Sequence, residues 1–173
     1  MKRHSGFISF ALFLACAGRV AGQAASPAAT EPSFTMKISL RDENVKPGSE
    51  IMVNVELTNT SASEIALVRI YTGPPPYTVY VFDREGKEAP SAPFGSALRK
   101  GETAMRQNGK VRNFGAASGG PVRIAPGKTA KDGVTIERMF EFAPGTYTVR
   151  LERVDPYTKL LVKSNTVTLT VTN

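Results

Sequence analysis

Phe142-Ala143-Pro144-Gly145-Thr146-Tyr147-Thr148-Val149-Arg150-Leu151-Glu152-Arg153 is the stretch that decides the fold. Pro144-Gly145 marks a turn, because Pro presets φ and Gly accepts the positive φ that other residues resist. Tyr147, Val149 and Leu151 then alternate with Thr148, Arg150 and Glu152. A period of two places one apolar and one polar face on a strand. Tyr147 sits just after a turn, at the start of a late strand. From that position a ring packs into the core and its hydroxyl bonds upstream backbone, as in a tyrosine corner. Pro144, Gly145 and Tyr147 are therefore expected to be structural.

Working outward, the rest of the chain reads as strands that pack against this one. Phe34, Met36, Ile38 and Leu40 alternate with polar residues, and so do Ile51, Val53, Val55 and Leu57. Ile65 to Tyr71 reads as a third strand with Ala66, Val68 and Ile70 on one face and Arg69 on the other. Gly73-Pro74-Pro75-Pro76 is excluded from a central strand, since three successive residues lack an N–H. Tyr77, Val79 and Val81 alternate with Thr78, Tyr80 and Phe82, and Asp83 to Lys87 forms a polar turn. Val134, Ile136, Phe140 and Phe142 share a parity that Arg138 breaks, which predicts a bulge near Glu137 to Met139. Leu160 to Val162 begins the last strand, which continues through Val167, Leu169 and Val171.

Between Ala89 and Pro121 the pattern fades, and Gly95, Gly101, Gly109, Gly115, Gly119 and Gly120 interrupt it. The expected fold is all-β: an immunoglobulin-like Greek-key β-sandwich of seven to eight strands, with a long irregular basic insertion and no helical periodicity. Val55 and Val149 are expected at matching core sites of the two layers.

The first 22 residues read as a signal peptide. Lys2 and Arg3 form the basic start, Phe7 to Ala17 an apolar run of 11 residues, and Val20-Ala21-Gly22 a cleavage site. Phe13-Leu14-Ala15-Cys16 offers the alternative of a lipid anchor at Cys16, the chain's one cysteine. Residues 23–33, rich in Ala, Ser, Pro and Thr, read as a flexible linker, and 34–173 as the domain. The expected location is exported, periplasmic or extracellular, with no membrane span.

The whole chain carries a net +7. Without Lys2, Arg3 and Arg19 it keeps 19 bases against 15 acids, or +4. That is short of a nucleic-acid signature. The excess is concentrated: between Ala89 and Lys131 there are eight bases and one acid.

Catalytic signatures are absent. His4 is the one histidine and falls in the leader. The remaining domain therefore has no Ser-His-Asp or Cys-His pair and no His/Cys zinc set. Gly127-Lys128-Thr129 fails as a phosphate loop because Val122 stands where the upstream glycine belongs. Glu137 and Glu141, four residues apart on a strand, would be about 13 Å apart, beyond the usual glycosidase spacing. Asp42, Glu43, Asp83 and Glu85 follow no calcium-loop pattern. No cofactor, no metal and no enzyme activity are expected.

Two surfaces remain for binding. One is the basic segment, with Arg99, Lys100, Arg106, Lys110, Arg112 and Arg123. The other is Tyr71, Tyr77 and Tyr80 around the three prolines, a rigid apolar surface of low conformational entropy. Strand addition at a sheet edge is a third route, whose edge the sequence does not locate.

The run from Val81 to Lys87, the turn at Ile124-Ala125-Pro126-Gly127-Lys128 and the strand at Pro144-Gly145-Thr146-Tyr147-Thr148-Val149 together resemble bacterial immunoglobulin-like domains. These include domains similar to the intracellular proteinase inhibitor family. The resemblance spans roughly Ile51 to Val154. It rests on turn and core positions, so it implies the fold and carries over no inhibitory residue. The functional expectation is a non-catalytic binding or interaction domain of the bacterial cell envelope. It would present the basic loop at about 95–131 to an envelope protein or an anionic surface polymer. The alternative is a protein inhibitor of an exported protease.

Overall fold

The computed structural model describes residues 30–72, 74–102, 104–107, 110–113 and 118–173. The leader, with its cleavage and lipidation sites, and most of the linker lie outside them. So do the side chains of Tyr71, Arg106 and Arg112.

In chain order the elements are β1 (Phe34–Leu40), β2 (Asn44–Val45), β3 (Met52–Asn59), β4 (Ile65–Thr72), β5 (Thr78–Phe82), α1 (Pro93–Arg99), β6 (Ala104–Gln107), β7 (Lys110–Asn113), β8 (Ser118–Ile124), β9 (Thr129–Thr135), β10 (Gly145–Val154), β11 (Leu161–Lys163) and β12 (Val167–Val171). The architecture is all-β and of the β-sandwich class. One layer is the antiparallel sheet β1-β3-β9. The other is built on β10, which pairs β5 along one edge and β12 and β11 along the opposite edge. β4 and β8 form a separate two-stranded ribbon, and β6 and β7 another.

Alternation fixes what lies between the layers. Phe34, Met36, Ile38, Val53, Val55 and Leu57 face inward from the first sheet. Val79, Val81, Tyr147, Val149, Leu151 and Leu169 face them from the second, all within one core cluster. Val55 and Val149 are both fully buried. Tyr147 makes the expected corner: its hydroxyl donates to the Ala143 carbonyl at 2.9 Å and accepts from the Ala143 N–H at 3.1 Å. Its ring meets Phe142 edge-on at 5.2 Å.

Several local expectations are corrected. The described strands number more than eight, because short pieces such as β2, β6, β7 and β11 join the longer ones. The segment from Ala89 to Pro121 is not irregular throughout. It carries α1, the β6-β7 hairpin and most of β8. The helix is only seven residues long and contains Gly95, too short to show a helical period. Pro93 opens it, where a missing N–H costs nothing.

β4 faces the other way from its expected parity. Ile65 and Leu67 are buried, while Val68 is 53% exposed. Arg69 lies on the inner parity because it pairs with the buried Asp132 carboxylate at 2.9 Å. No bulge forms at Glu137 to Met139. β9 ends at Thr135, and a tight turn follows in which Met139 and Phe140 N–H both bond the Ile136 carbonyl. That turn buries Met139 and Phe140 together, which a strand would not allow.

The loop after β10 is organised by Asp155, which is fully buried. Its carboxylate accepts from Ser33 N–H at 2.6 Å, Tyr157 N–H at 2.9 Å and the Thr158 hydroxyl at 2.8 Å. Burial pushes its pKa up, but these donors outweigh it and hold the carboxyl below the ordinary aspartate value. The carboxylate therefore stabilises the fold above about pH 4, the unfolded value, and that contribution disappears as pH falls through the lower folded one. Asp155→Asn is expected to cost about 2 kcal/mol at neutral pH, the range for hydrogen bonds to a charged group. In urea titrations, the gap from the wild type should shrink progressively below about pH 4.

A candidate binding groove between β5 and α1

Among the described strands β5 pairs with β10 alone; residues 88 and 89 line the far end of its other edge, and the rest of that edge borders a cleft of about 380 Å³. Such a volume falls in the range of about 300–1,000 Å³ usual for small-ligand sites. Val79 and Tyr80 form one side, Leu98 and Arg99 of α1 the other, and Met139 and Phe140 the apolar wall between. Pro74, Pro75 and Tyr77 close one end, and Glu88 stands at the rim.

The helix reaches this position because Gly95 lies directly on the backbone of Met139. A Cβ at Gly95 would overlap the Met139 carbonyl oxygen. Ala92 N–H also donates to that oxygen at 3.0 Å, and Glu141 N–H donates to the Pro90 carbonyl at 2.8 Å. Arg99, the last helical residue, pairs with Glu88 at 2.7 Å and lies over the Phe140 ring at 5.3 Å. Both members of the pair are partly exposed, so the pair shapes the rim more than it stabilises the fold.

Tyr77 is held from beneath. Its hydroxyl donates to Asp132 Oδ2 at 2.7 Å and accepts from Arg153 Nη1 at 3.4 Å. Burial, then the hydrogen bond to Asp132, pushes its phenol above the ordinary tyrosine value, so it stays a donor. Arg153 is itself 7% exposed. Its Nη2 donates to the Val68 carbonyl at 2.9 Å and its guanidinium lies over the Tyr77 ring at 5.3 Å. This chain of polar groups joins β10, β9 and β4 under the proline turn.

The expected site residues separate into groups. Tyr77, Tyr80 and Arg99 meet at the groove, which unites the basic and the Tyr/Pro surfaces. Tyr77 borders the groove but is largely core. Tyr80 points outward, stacked parallel to Phe82 at 6.3 Å with the Arg150 guanidinium over it at 5.1 Å. Lys100 follows Arg99 at the helix end and is exposed, and so is Lys110 on β7. Arg123 lies on β8 and pairs with Glu64 at 2.9 Å, away from the groove lining. Tyr71, Arg106 and Arg112 are on β4, β6 and β7, their side chains outside the described set.

Leu98, Met139, Phe140 and Glu88 were not singled out by sequence. Two of the carboxylates weighed for chemistry accept from backbone N–H groups. Glu137 accepts from Ile51 N–H at 3.1 Å, and Asp83 from Glu85 and Lys87 N–H at 3.0 and 2.9 Å. Among the described residues no group of three or more His, Cys, Asp or Glu is placed to hold a metal ion. No helix among them is long and apolar enough to cross a membrane.

No protein-family model and no curated protein matches the chain. Among solved structures it is similar to Spo0M, the sporulation control protein of Bacillus subtilis. The identity is 13%, over 82% of this chain and 50% of that one, with a TM-score of 0.41. The chain thus spans about half the length of that protein.

Gly95→Ala tests how the groove wall is seated. Ala is the better helix former by about 1 kcal/mol, but the overlap falls on backbone atoms that cannot rotate away. Overpacking of this kind typically costs about 1–3 kcal/mol. A net loss of stability in urea denaturation is therefore expected, despite the gain in helix propensity.

Proposed function

We propose that this chain is a non-catalytic interaction domain of the bacterial cell envelope, exported by its leader, which engages a partner in the groove between β5 and α1. One observation carries the reading. Arg99 of the basic segment and Tyr77, Tyr80, Pro74 and Pro75 of the Tyr/Pro stretch line the same cleft. Export rests on Lys2, Arg3, the apolar run Phe7 to Ala17 and the small residues after it. The immunoglobulin-like reading of the sandwich rests on the Tyr147 corner and the turns at Pro126-Gly127 and Pro144-Gly145.

The charge arrangement favours a protein over an anionic polymer as partner. Arg99 and Arg123, two of the basic candidates, are already paired with Glu88 and Glu64. The groove itself presents apolar side chains between one base and one acid. Contacts of that kind depend on burial and resist salt, whereas binding through exposed Lys and Arg is screened.

The test is sedimentation of the chain from residue 23, which contains every described element, with fractionated bacterial envelope at low and high salt. Binding is expected to persist at high salt and to fall at least about tenfold in Leu98→Trp, which fills the groove. Binding abolished by salt and indifferent to Leu98→Trp would overturn the groove as the contact site and return the role to the exposed basic residues.

A further inference from the structure

We infer that the groove takes an extended peptide segment of a protein partner, which adds as a strand to the open edge of β5. This deepens the reading above and rests on the groove being the contact site.

The backbone geometry of β5 is fixed on both sides. The Val81 carbonyl accepts from Ala89 N–H at 2.9 Å, so Val81 directs its peptide groups away from β10. Two residues along, Val79 must do the same. The partner strand agrees. Leu151, the residue opposite Val79, uses its N–H and C=O on Ser164, on the other edge of β10. The pair Leu151–Val79 is therefore a non-hydrogen-bonded one, and the N–H and C=O of Val79 point into the groove. Among the described residues, none bonds to them there. An unpaired peptide group beside an apolar wall is a donor and acceptor awaiting a partner.

The chain itself shows how the edge is used. Residues 88 and 89 already run antiparallel along β5, with Phe82 bridged to Glu88. They then leave it, and residues 90–92 bond instead to the 139–141 segment. The groove is the continuation of that line. An added strand would take up the register that the chain abandons after Ala89.

At two other strands a side chain takes both peptide groups of one residue. Asn165 bonds both the N–H and C=O of Ile38 on β1, at 2.7 and 3.0 Å. The Tyr157 hydroxyl bonds both the N–H and C=O of Ala66 on β4, at 2.7 and 3.1 Å. Among the described residues, Val79 has no such plug.

The same geometry sets the chemistry of the segment. Pro74, Pro75 and Pro76 offer no N–H, so pairing stops near Tyr77 and the added strand is short, about three to four residues. Its side chains alternate. One apolar side chain enters between Leu98, Met139 and Phe140, and its neighbours turn outward toward Tyr80 and the Arg99–Glu88 rim. Main-chain bonds supply affinity and the apolar pocket supplies selection, as in strand addition generally.

The experiment selects binders for the chain from residue 23 out of a random linear peptide library displayed on phage. The strongest is then synthesised and its effect on amide hydrogen exchange is read by NMR. The expected result is a peptide with one apolar residue flanked by alternating polar ones. It should slow exchange at the Val79 N–H at least tenfold and lose binding at least tenfold to Leu98→Trp. Val79→Pro, which removes the N–H at an edge position that tolerates Pro, should weaken it similarly; Leu98→Trp serves where Val79→Pro fails to fold. Peptides that bind without protecting Val79 would overturn strand addition and leave the groove as a contact site. A library that yields no binder also overturns it, while salt-resistant, groove-dependent binding to envelope would keep the broader reading standing.

Discussion

The two-sided backbone pairing of β10 is the constraint on which the rest depends. A strand has one set of peptide groups for each edge, alternating residue by residue. In β10, Val149 and Leu151 bond toward β12 and the segment after β11, while Arg150 and Glu152 are left for β5. The same alternation sends Tyr147, Val149 and Leu151 into the core. Core parity and edge parity are thus locked together. Shifting β5 by one residue would expose Val79 and Val81 and bury Thr78 and Tyr80. The orientation of Val79 toward the groove follows from the packing of the sandwich.

A second layer of control lies in buried polar groups. Arg153 and Asp132 are charged side chains withdrawn from water, an arrangement that costs several kcal/mol per ion unless it is paired. Here Tyr77 joins them, and Arg69 and the Val68 carbonyl take the remaining bonds. The consequence is positional. The proline turn and the end of β5 are fixed relative to β4, β9 and β10, so the groove has a rigid floor. Asp155 acts likewise just past the same end of β10, tying the entry to β1 to the loop that follows. Rigid surroundings matter for a binding edge, because ordering it on contact would subtract from affinity.

Much of the fold was legible because its signals are local. The period of two at Phe34 to Leu40, Ile51 to Leu57 and Tyr147 to Leu151 states which residues are inside. The position of Tyr147 after Pro144-Gly145 states how the strand begins. Where local signals competed, the sequence misled. In β4 the more apolar parity is Ala66, Val68 and Ile70, yet Arg69 with Asp132 determines which face turns inward. The helix was hidden by its length, and the turn at Glu137 to Met139 by apolar residues that a strand pattern could not accommodate. Of the site, sequence found the charge of Arg99 and the aromatic rings of Tyr77 and Tyr80. It missed Leu98, Met139 and Phe140, which matter only because α1 lies on the Met139 backbone. Which edge of which strand lacks a neighbour is a property of the assembled sheet, and no window of sequence contains it. Gly95, with no Cβ where the helix meets Met139, was the one available hint.

In the free domain the peptide group of Val79 finds no partner among the described residues and lies open beside the groove. Native-state amide hydrogen exchange of the isotopically labelled chain tests it directly, by comparing Val79 with Tyr80 and Phe82 on the same strand. Tyr80 and Phe82, whose N–H groups bond β10, should exchange slowly, and Val79 between β10 and the groove should exchange orders of magnitude faster. Protection of Val79 equal to that of Tyr80 would mean that its edge is already occupied and not open to an added strand.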